Sequence, residues 1–491
     1  MSTHLYSAGA VQALLLPLIG AAVLLLLPFR RQAAGMVALI VQAGMIGLTY
    51  NLVRNYDNAA PERFQYATDK TWLPDLGIRF HIAIDGLSLV MVAMTVVVLS
   101  CALLYALWDG HFRGRSYYGL LLVLEAALVL LFVARDLIVF YVGFEAMLIP
   151  LYLLVGIWGG ENRRRATIKF VIYTFIGTLL MLVGMIALGL HAGSFDLDKV
   201  GTSGERWIFV TFLIAFAIKS PIWPLHGWVP DAYREAPPEV AAILSGVASK
   251  AGAYGLLRLV LPIFPQQVAD FRWCVVGAAL IGLLYGSIVA FRQPDSRGVI
   301  AYSSIGQMGL VVLGIFVLND RGTTGAVFQM VNHALLSAAL FLIAGWVARK
   351  TGADPFVRLG GLARGRPILA TVCIVVGVAA LAVPGSSTFA SEFLILLGAF
   401  EAKWFVGAIA SLAIVLAAMY LLRWVSAVLH DREGVAVGDS QPPDLEFGPM
   451  VAILPLVAAI LALSFYPYAV TNRVDKDAGA LAAHAVEVLG K

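Results

Sequence analysis

The chain has 491 residues, of which 60% are hydrophobic and 13% charged, with a formal net charge of +4. A soluble domain carries about 25% charged residues, so this chain cannot coat a globule of its size with charge and needs an apolar solvent, which is lipid. The small, dispersed net charge gives no case for nucleic acid, and Cys101, Cys274 and Cys373 stand singly in apolar runs without CxxC spacing, which argues against a disulfide framework, an iron–sulfur site or any redox centre on this chain.

A helix needs roughly 20 apolar residues to cross a bilayer. By that ruler the expected fold is an all-α membrane protein of about fourteen spans, near 8–28, 34–54, 84–107, 117–134, 136–158, 167–190, 207–225, 239–264, 271–291, 298–317, 323–348, 368–400, 404–428 and 448–468. The first run is followed by Pro28-Phe29-Arg30-Arg31 and not by a small-residue cleavage site, so it reads as a retained helix. The seventh span runs into Pro221, Pro224 and Pro230, and the twelfth contains Pro384-Gly385-Ser386-Ser387. Proline removes a backbone donor and clashes with the preceding turn, so both spans are expected to be broken. In a membrane such a break survives only where protein or water satisfies the freed groups. Of the 34 basic residues, 18 fall in loops on one side, among them Arg30, Arg113, Arg163, Arg234, Arg297 and Arg366, which by the positive-inside rule puts both termini outside. The stretches 436–447 and 470–491 read as polar tail, and no soluble domain is expected. The two broken spans lie five helices apart and each carries one buried charge, a pattern that suggests two structural repeats. The expected division is 1–110, 111–266, 267–430 and 431–491, the second and third being the repeats.

Five ionisable residues interrupt the apolar spans: Glu125, Glu145, Lys219, Lys250 and Glu392. A charge at mid-membrane costs roughly 2.5–3.5 kcal/mol on insertion scales, and such residues usually face a protein interior and mark ion pathways. Glu145 has only aromatic and aliphatic neighbours in sequence, so its natural partner is a cation on another helix, and Lys219, directly before the Ser220-Pro221 break, is the candidate. Together they form either a switch, in which the lysine holds its proton when paired and releases it when separated, or a static ion pair. Lys250 lies well inside span 239–264, which argues against snorkelling, with Gly246 and Tyr254 on its face at four-residue spacing, so that a hydroxyl is expected beside the ammonium. Ser303, Ser304 and Gln307 form one polar stripe, and Gln329, His333 and Ser337 another, with Asn332 alongside. Singly these read as interhelical hydrogen bonds worth about 0.6 kcal/mol each; two such stripes between Lys250 and Glu392 favour an internal water wire. His333 titrates near neutral pH and is a candidate relay. Glu392, just past the second break, is placed to release a proton, and Glu125 to tune the first pair or line an entrance. His226, after the first break, either passes protons on from Lys219 or caps a helix end. The eight histidines are scattered, with no HExxH, Cys/His cluster, P-loop or dinucleotide fingerprint, so no metal site is expected.

At these residues the chain resembles the antiporter-like subunits of respiratory complex I, together with their relatives in multisubunit sodium/proton antiporters and membrane-bound hydrogenases. The resemblance spans about 80 to 430. It rests on Asp85-Gly-Leu-Ser-Leu89, Arg135-Asp-Leu-Ile-Val-Phe-Tyr141 with Phe144-Glu145, Lys219-Ser-Pro-Ile-Trp-Pro-Leu-His-Gly-Trp-Val-Pro-Asp-Ala232 and Ala236-Pro237. It continues through Ser245-Gly-Val-Ala-Ser-Lys-Ala-Gly-Ala-Tyr-Gly255, Ala301-Tyr-Ser-Ser-Ile-Gly-Gln-Met-Gly-Leu310 and Pro384-Gly385 to Glu392-Phe-Leu394. It implies fourteen helices with two inverted five-helix repeats, whose discontinuous helices are the seventh and twelfth. It also implies that Glu145 and Lys219 are the input pair, Lys250 the central lysine and Glu392 the terminal residue of a proton channel. A glutamate at that last position is the pattern of the M type of these subunits; the L and N types usually have lysine. FMN, iron–sulfur clusters and quinone are then expected on partner subunits, L-type and N-type antiporter-like subunits among the partners, and the inner membrane of a bacterium as the location. The chain departs from the family at Gln307, where a histidine is common, and at Pro237-Pro-Glu-Val-Ala-Ala-Ile-Leu-Ser-Gly246, whose wording leans toward the antiporter and hydrogenase relatives.

Overall fold

The computed structural model describes residues 8–60, 64–108, 113–488 and 490. Helices α1 (Gly9–Leu26) and α2 (Arg31–Asn55) precede an antiparallel hairpin, β1 (Gln65–Leu73) and β2 (Ile78–Ile84). Then come α3 (Gly86–Trp108), α4 (Arg115–Val133), α5 (Leu137–Trp158), α6 (Arg163–Ala192), α7 (Arg206–Lys219), α8 (Val229–Glu235) and α9 (Pro238–Ile263). The second half runs α10 (Pro265–Arg292), α11 (Ser296–Phe316), α12 (Asp320–Thr351), α13 (Pro367–Ala380), α14 (Ser387–Ala402), α15 (Trp404–His430), α16 (Val435–Ser440), α17 (Phe447–Phe465) and α18 (Tyr468–Val488).

Among the described residues, twelve helices are long and apolar enough to cross a membrane. The difference from the fourteen spans expected falls at 207–225 and 368–400, the two segments whose prolines foretell a break. There α7 has 14 residues, α13 has 14 and α14 has 16, each too short to count as a span by itself. α9 and α12 are the most enclosed spans, buried along their whole apolar windows, whereas α2, α15 and α17 bury only about a third of theirs or less. The centre of the molecule is therefore built from α9 and α12, which carry Lys250 and His333.

Both breaks have their freed backbone groups satisfied by protein, as a membrane interior demands. Ile222 N–H turns back to Ala217 O at 2.9 Å, and the carbonyl of Ile218 accepts from Trp228 Nε1 at 2.9 Å. Pro221 and Pro224 lie in this turn, while Pro230 sits in the first turn of α8, where its missing N–H costs nothing. In the second break Gly385 has φ +98°, a value open to glycine and strained for other residues. Ser386 caps α14 by accepting from Phe389 N at 3.1 Å, Asn332 Nδ2 donates to Ser387 O at 2.9 Å, and Ser387 N donates to Ser464 Oγ at 2.9 Å.

The hairpin is a strand element that apolar periodicity does not announce, since β1 is mostly exposed and reads as a polar loop. It locks the loops of one face together. Arg135 N donates to His81 O at 2.8 Å, Leu197 N to Arg135 O at 2.9 Å, and Asp136 accepts from Ile138, Val139 and Arg79 N–H groups while capping α5. Just beneath, Asp85 and Arg258 form a fully buried ion pair at 2.6 Å, with Tyr254 OH accepting from Arg258 Nε at 3.1 Å. The opposite face is held by Arg234 to Asp295 and Gln293, both at 2.6 Å, and by Lys350 to Glu446 at 2.7 Å. The polar end of the chain, expected as tail, folds as α18. It packs across α3 and α12, with Val470 and Val474 buried and Asp475 accepting from Thr324 Oγ1 at 2.9 Å.

Removing one member of a buried ion pair leaves an uncompensated charge and costs about 3–5 kcal/mol, whereas replacing both with apolar residues of similar volume is often neutral. We expect Asp85→Leu to lower the thermal midpoint sharply and Asp85→Leu with Arg258→Met to recover most of the loss. Equal destabilisation by the single and double replacements, measured by thermal unfolding of the purified protein, would contradict this account.

Candidate functional site

Lys219 is the last residue of α7, and its placement follows from the proline turn that stops the helix there. The side chain is buried, with Nζ over the rings of Phe144 at 5.3 Å and Phe170 at 5.9 Å, a setting in which a ring quadrupole favours a cation. Glu145 on α5 is close enough for its charge to act on Lys219, but no ion pair within 4.0 Å joins them. Oε2 of Glu145 is buried without a hydrogen-bond partner. The two residues are thus neighbours in the separated arrangement, with an aromatic wall between α5 and α7: Phe144 and Phe216 lie 5.8 Å apart, and Phe140 and Phe216 6.1 Å.

From α7 the path to the central lysine is a close helix contact. A Cβ on Gly252 of α9 would come within 2.3 Å of Ser220 Oγ and 2.6 Å of Phe216 O, so only glycine allows α9 to lie this tightly on the break. α9 contains two π-turns, Leu244–Ala248 and Leu256–Val260, flanking the α-helical turn that begins at Lys250. Such turns are rare and concentrate at functional sites. Their effect here is specific. Ser249 N–H bonds to Leu244 O at 3.1 Å, and the carbonyl of Ser245 accepts from Lys250 Nζ at 2.6 Å and from Ser249 Oγ at 2.8 Å. Tyr233 of α8, fully buried, points its hydroxyl into the same turn and donates to Leu244 O at 3.3 Å.

Lys250 is fully buried and its Nζ lies 2.5 Å from His333 Nδ1 on α12. His333 Nε2 is 3.2 Å from Ser304 Oγ on α11, and Ser304 Oγ is 2.9 Å from Ser245 Oγ. An ammonium donating to Nδ1 fixes the imidazole as the Nε2–H tautomer, which then donates to Ser304; a neutral lysine accepting from Nδ1–H reverses that order. The structure joins Lys250, His333 and Ser304 in one series of contacts. It does not place Tyr254 beside Lys250. The hydroxyl of Tyr254 donates to Phe132 O at 2.5 Å and accepts from Arg258, one helical turn on, which draws it away from the ammonium.

A second cluster surrounds Glu392 on α14. Gln307 Nε2 donates to Glu392 Oε1 at 3.1 Å, Gln329 Nε2 donates to Gln307 Oε1 at 2.6 Å, and Ser391 Oγ donates to Gln329 Oε1 at 2.5 Å. Between the clusters lies a cavity bounded by His333, Ser303, Gln307, Gln329, Thr388 and Tyr420, with about 30 Å³ open to water centres. A water needs roughly 10–15 Å³ by this measure, so about two fit. Thr388 Oγ1 is buried there without a protein partner. A smaller pocket of about 10 Å³ on the other side of Glu392 is lined by Ser287, Gln307 and Ala413.

Three expected residues lie apart from this chain of contacts. Glu125 accepts from Gln42 Nε2 at 3.0 Å, and Gln42 also donates to Ser100 Oγ at 2.9 Å, so its bonds run to α2 and α3 rather than to Glu145. His226 packs against Tyr285 at 5.0 Å between ring centroids, with the rings tilted by 59°, and its Nδ1 is buried without a partner. Ser303 donates to its own helix at Ile300 O, 2.9 Å, and only lines the cavity. Sequence reasoning missed Tyr233, Ser245, Thr388, Ser391 and Tyr420. Ser391 adjoins Glu392 and could have been found, while the others enter through tertiary packing alone.

The family model for the transmembrane part of NADH:quinone oxidoreductase and Mrp antiporters matches residues 134–417. NADH-quinone oxidoreductase subunit M of Rhodobacter capsulatus is 35% identical over 96% of this chain and 95% of its own length, and that of Mycobacterium tuberculosis strain H37Rv is 34% identical over 94% and 91%. Among solved structures, a chain of respiratory complex I from Thermus thermophilus with bound NADH superposes with a TM-score of 0.89 at 31% identity, covering 97% of this chain and 99% of that one. A chain of the Mrp complex from Dietzia sp. superposes at 0.88 with 21% identity, covering 98% of each, which is a likeness of fold alone.

Replacing His333 with leucine would leave the buried Lys250 without its nitrogen partner, at a cost of about 1–3 kcal/mol. We expect a lowered thermal midpoint for His333→Leu and a smaller change for His333→Gln, which keeps an acceptor. A midpoint unmoved by either change would mean that the contact does not hold the ammonium.

Proposed function

We propose that this chain, which belongs to the NADH:quinone oxidoreductase/Mrp antiporter family as a subunit of the M type in NADH-quinone oxidoreductase, moves protons along the buried polar chain from Glu145 and Lys219 to Lys250, His333 and Glu392. The observation that carries the reading is the alignment of two polar clusters, Lys250 with His333 and Gln307 with Glu392, on one water-sized cavity that both His333 and Gln307 line. It lies inside otherwise apolar packing, where unused polar groups would be a pure cost.

In this reading Lys219 is the input switch. With Glu145 drawn close, the ammonium is stabilised; at the present separation it is left to aromatic rings and gives up its proton more readily. Tyr233 and the serines of the first π-turn carry the proton toward Lys250. Lys250 and His333 exchange it across their contact, and two waters in the cavity convey it past Gln307, whose amide orders water without itself carrying charge. Glu392 is the exit. Glu125 tunes the first pair or lines an entrance, and His226 passes protons on from Lys219 or caps a helix end. Redox chemistry belongs to other subunits, with FMN, iron–sulfur clusters and quinone there, and L-type and N-type antiporter-like subunits are among the partners. The twelve continuous spans and the two interrupted ones, α7 with α8 and α13 with α14, make fourteen crossings. They form two inverted repeats over 111–266 and 267–430, in the inner membrane of a bacterium, with the hairpin face and both termini outward.

We expect Lys219→Ala and Glu145→Ala each to abolish or strongly reduce proton pumping while the complex still assembles and oxidises NADH. A normal ratio of protons to electrons in either variant would remove the pair from the path. The wording of Pro237–Gly246 favours one other reading, a sodium/proton antiporter subunit without a redox link. Sodium-dependent exchange in vesicles lacking NADH and quinone would favour that reading.

A further inference from the structure

α6 has 30 residues and so runs about 45 Å, roughly 15 Å more than the hydrocarbon core of a bilayer. Its exposed face divides accordingly. From Ile168 through Ile172, Ile176, Leu179 and Val183 it is apolar, each of these residues being 42% exposed or more. Just before that stripe stand Arg164 and Arg165, exposed and without an ion-pair partner among the described residues. Beside them opens a groove of about 790 Å³, which these two arginines share with Ile168, Lys169, Ile172 and Tyr173. Lys169 is held on its far side by Asp231 at 2.7 Å, in the first turn of α8.

We propose that this groove binds the headgroup of an anionic phospholipid, with its acyl chains lying along the isoleucine and leucine stripe of α6. The charge supports this occupant: Arg164, Arg165 and Lys169 line the groove, and against Glu161 and the Asp231 carboxylate that holds Lys169 they leave a net positive charge. The level supports it too, because the cations sit where the apolar stripe ends, at the depth of lipid phosphates, on the face that carries most of the basic loop residues. Basic pockets beside membrane-spanning helices are built to take such headgroups. Arg164 and Arg165 supply guanidinium forks for phosphate oxygens. Lys169 is shared between the headgroup and Asp231, so occupancy of the groove is felt by the segment that follows Lys219. Neither arginine belongs to the proton path, and the proposal stands whether or not that path is correct.

The test uses the intact complex purified in mild detergent, with native mass spectrometry of its retained lipids and reconstitution into phosphatidylcholine vesicles with and without phosphatidylglycerol. Each cation near an anionic surface is worth about fivefold in affinity. Arg164→Gln with Arg165→Gln should therefore weaken phosphatidylglycerol retention roughly twentyfold, and Arg164→Lys with Arg165→Lys should preserve most of it. Phosphatidylglycerol should also raise turnover of the native complex more than that of the glutamine variant. Equal retention in the native and glutamine forms would overturn the proposal. So would finding Ile168→Cys joined to a neighbouring subunit by a bifunctional thiol cross-linker, which would make the groove a protein interface.

Discussion

The dependence that runs through this molecule is that a charge kept out of water must be given partners by the fold itself. Hydrocarbon offers none, so each buried ionisable group dictates what its neighbours can be. Asp85 and Arg258 meet that demand with each other at 2.6 Å. Lys250 meets it with a carbonyl freed by a π-turn and with His333. Glu392 meets it with an amide from α11. Lys219 and Glu145 meet it least: one lies over aromatic rings and the other keeps a carboxylate oxygen without a partner. The stable pair is thus structural, and the poorly satisfied pair is where a change of geometry has the largest electrostatic consequence.

The two proline breaks and the two π-turns solve one problem in complementary ways. A break exposes backbone groups that side chains such as Trp228 and Asn332 must then cover, which fixes the tertiary position of the segment. A π-turn redirects a backbone N–H without interrupting the helix, and so supplies a carbonyl inside a span that stays closed to lipid. Lys219 ends its helix at the first break and Glu392 lies just past the second, whereas Lys250 at a π-turn takes a backbone carbonyl that regular helix would not offer.

Much of this was legible in the sequence. The apolar runs give the helices, the prolines give both interruptions, and charged residues inside apolar runs single out Glu145, Lys219, Lys250 and Glu392. The polar stripes of α11 and α12 are visible as stripes, but that Gln307 and Gln329 meet is seen only in the fold. What the chain does not announce is set by tertiary encounter. The hairpin is stabilised by bonds to Arg135 and Asp136 on distant loops rather than by its own alternation. The π-turns have no signature in residue type. Tyr254 lies on the face expected but turns to Arg258, because a guanidinium one turn away is a stronger partner than an ammonium already engaged elsewhere. α18 reads as polar tail because Val470 and Val474, which it buries, stand among polar, charged and small residues.

The bonds around Glu392 form a loop with a sense of direction. Ser391 donates to Gln329, Gln329 to Gln307, and Gln307 to Glu392, so the series leaves α14 at one residue and returns at the next. All donors point toward the carboxylate. A hydrogen placed on the oxygen that Gln307 addresses sets donor against donor, and the clash is relieved by turning that amide over. Its NH₂ then faces the NH₂ of Gln329, which must turn as well, and Ser391 must swing its hydroxyl to a new acceptor. Occupancy at one oxygen is thereby written into the orientation of two amides and a hydroxyl, a mechanical latch in which neither glutamine ever bears a charge.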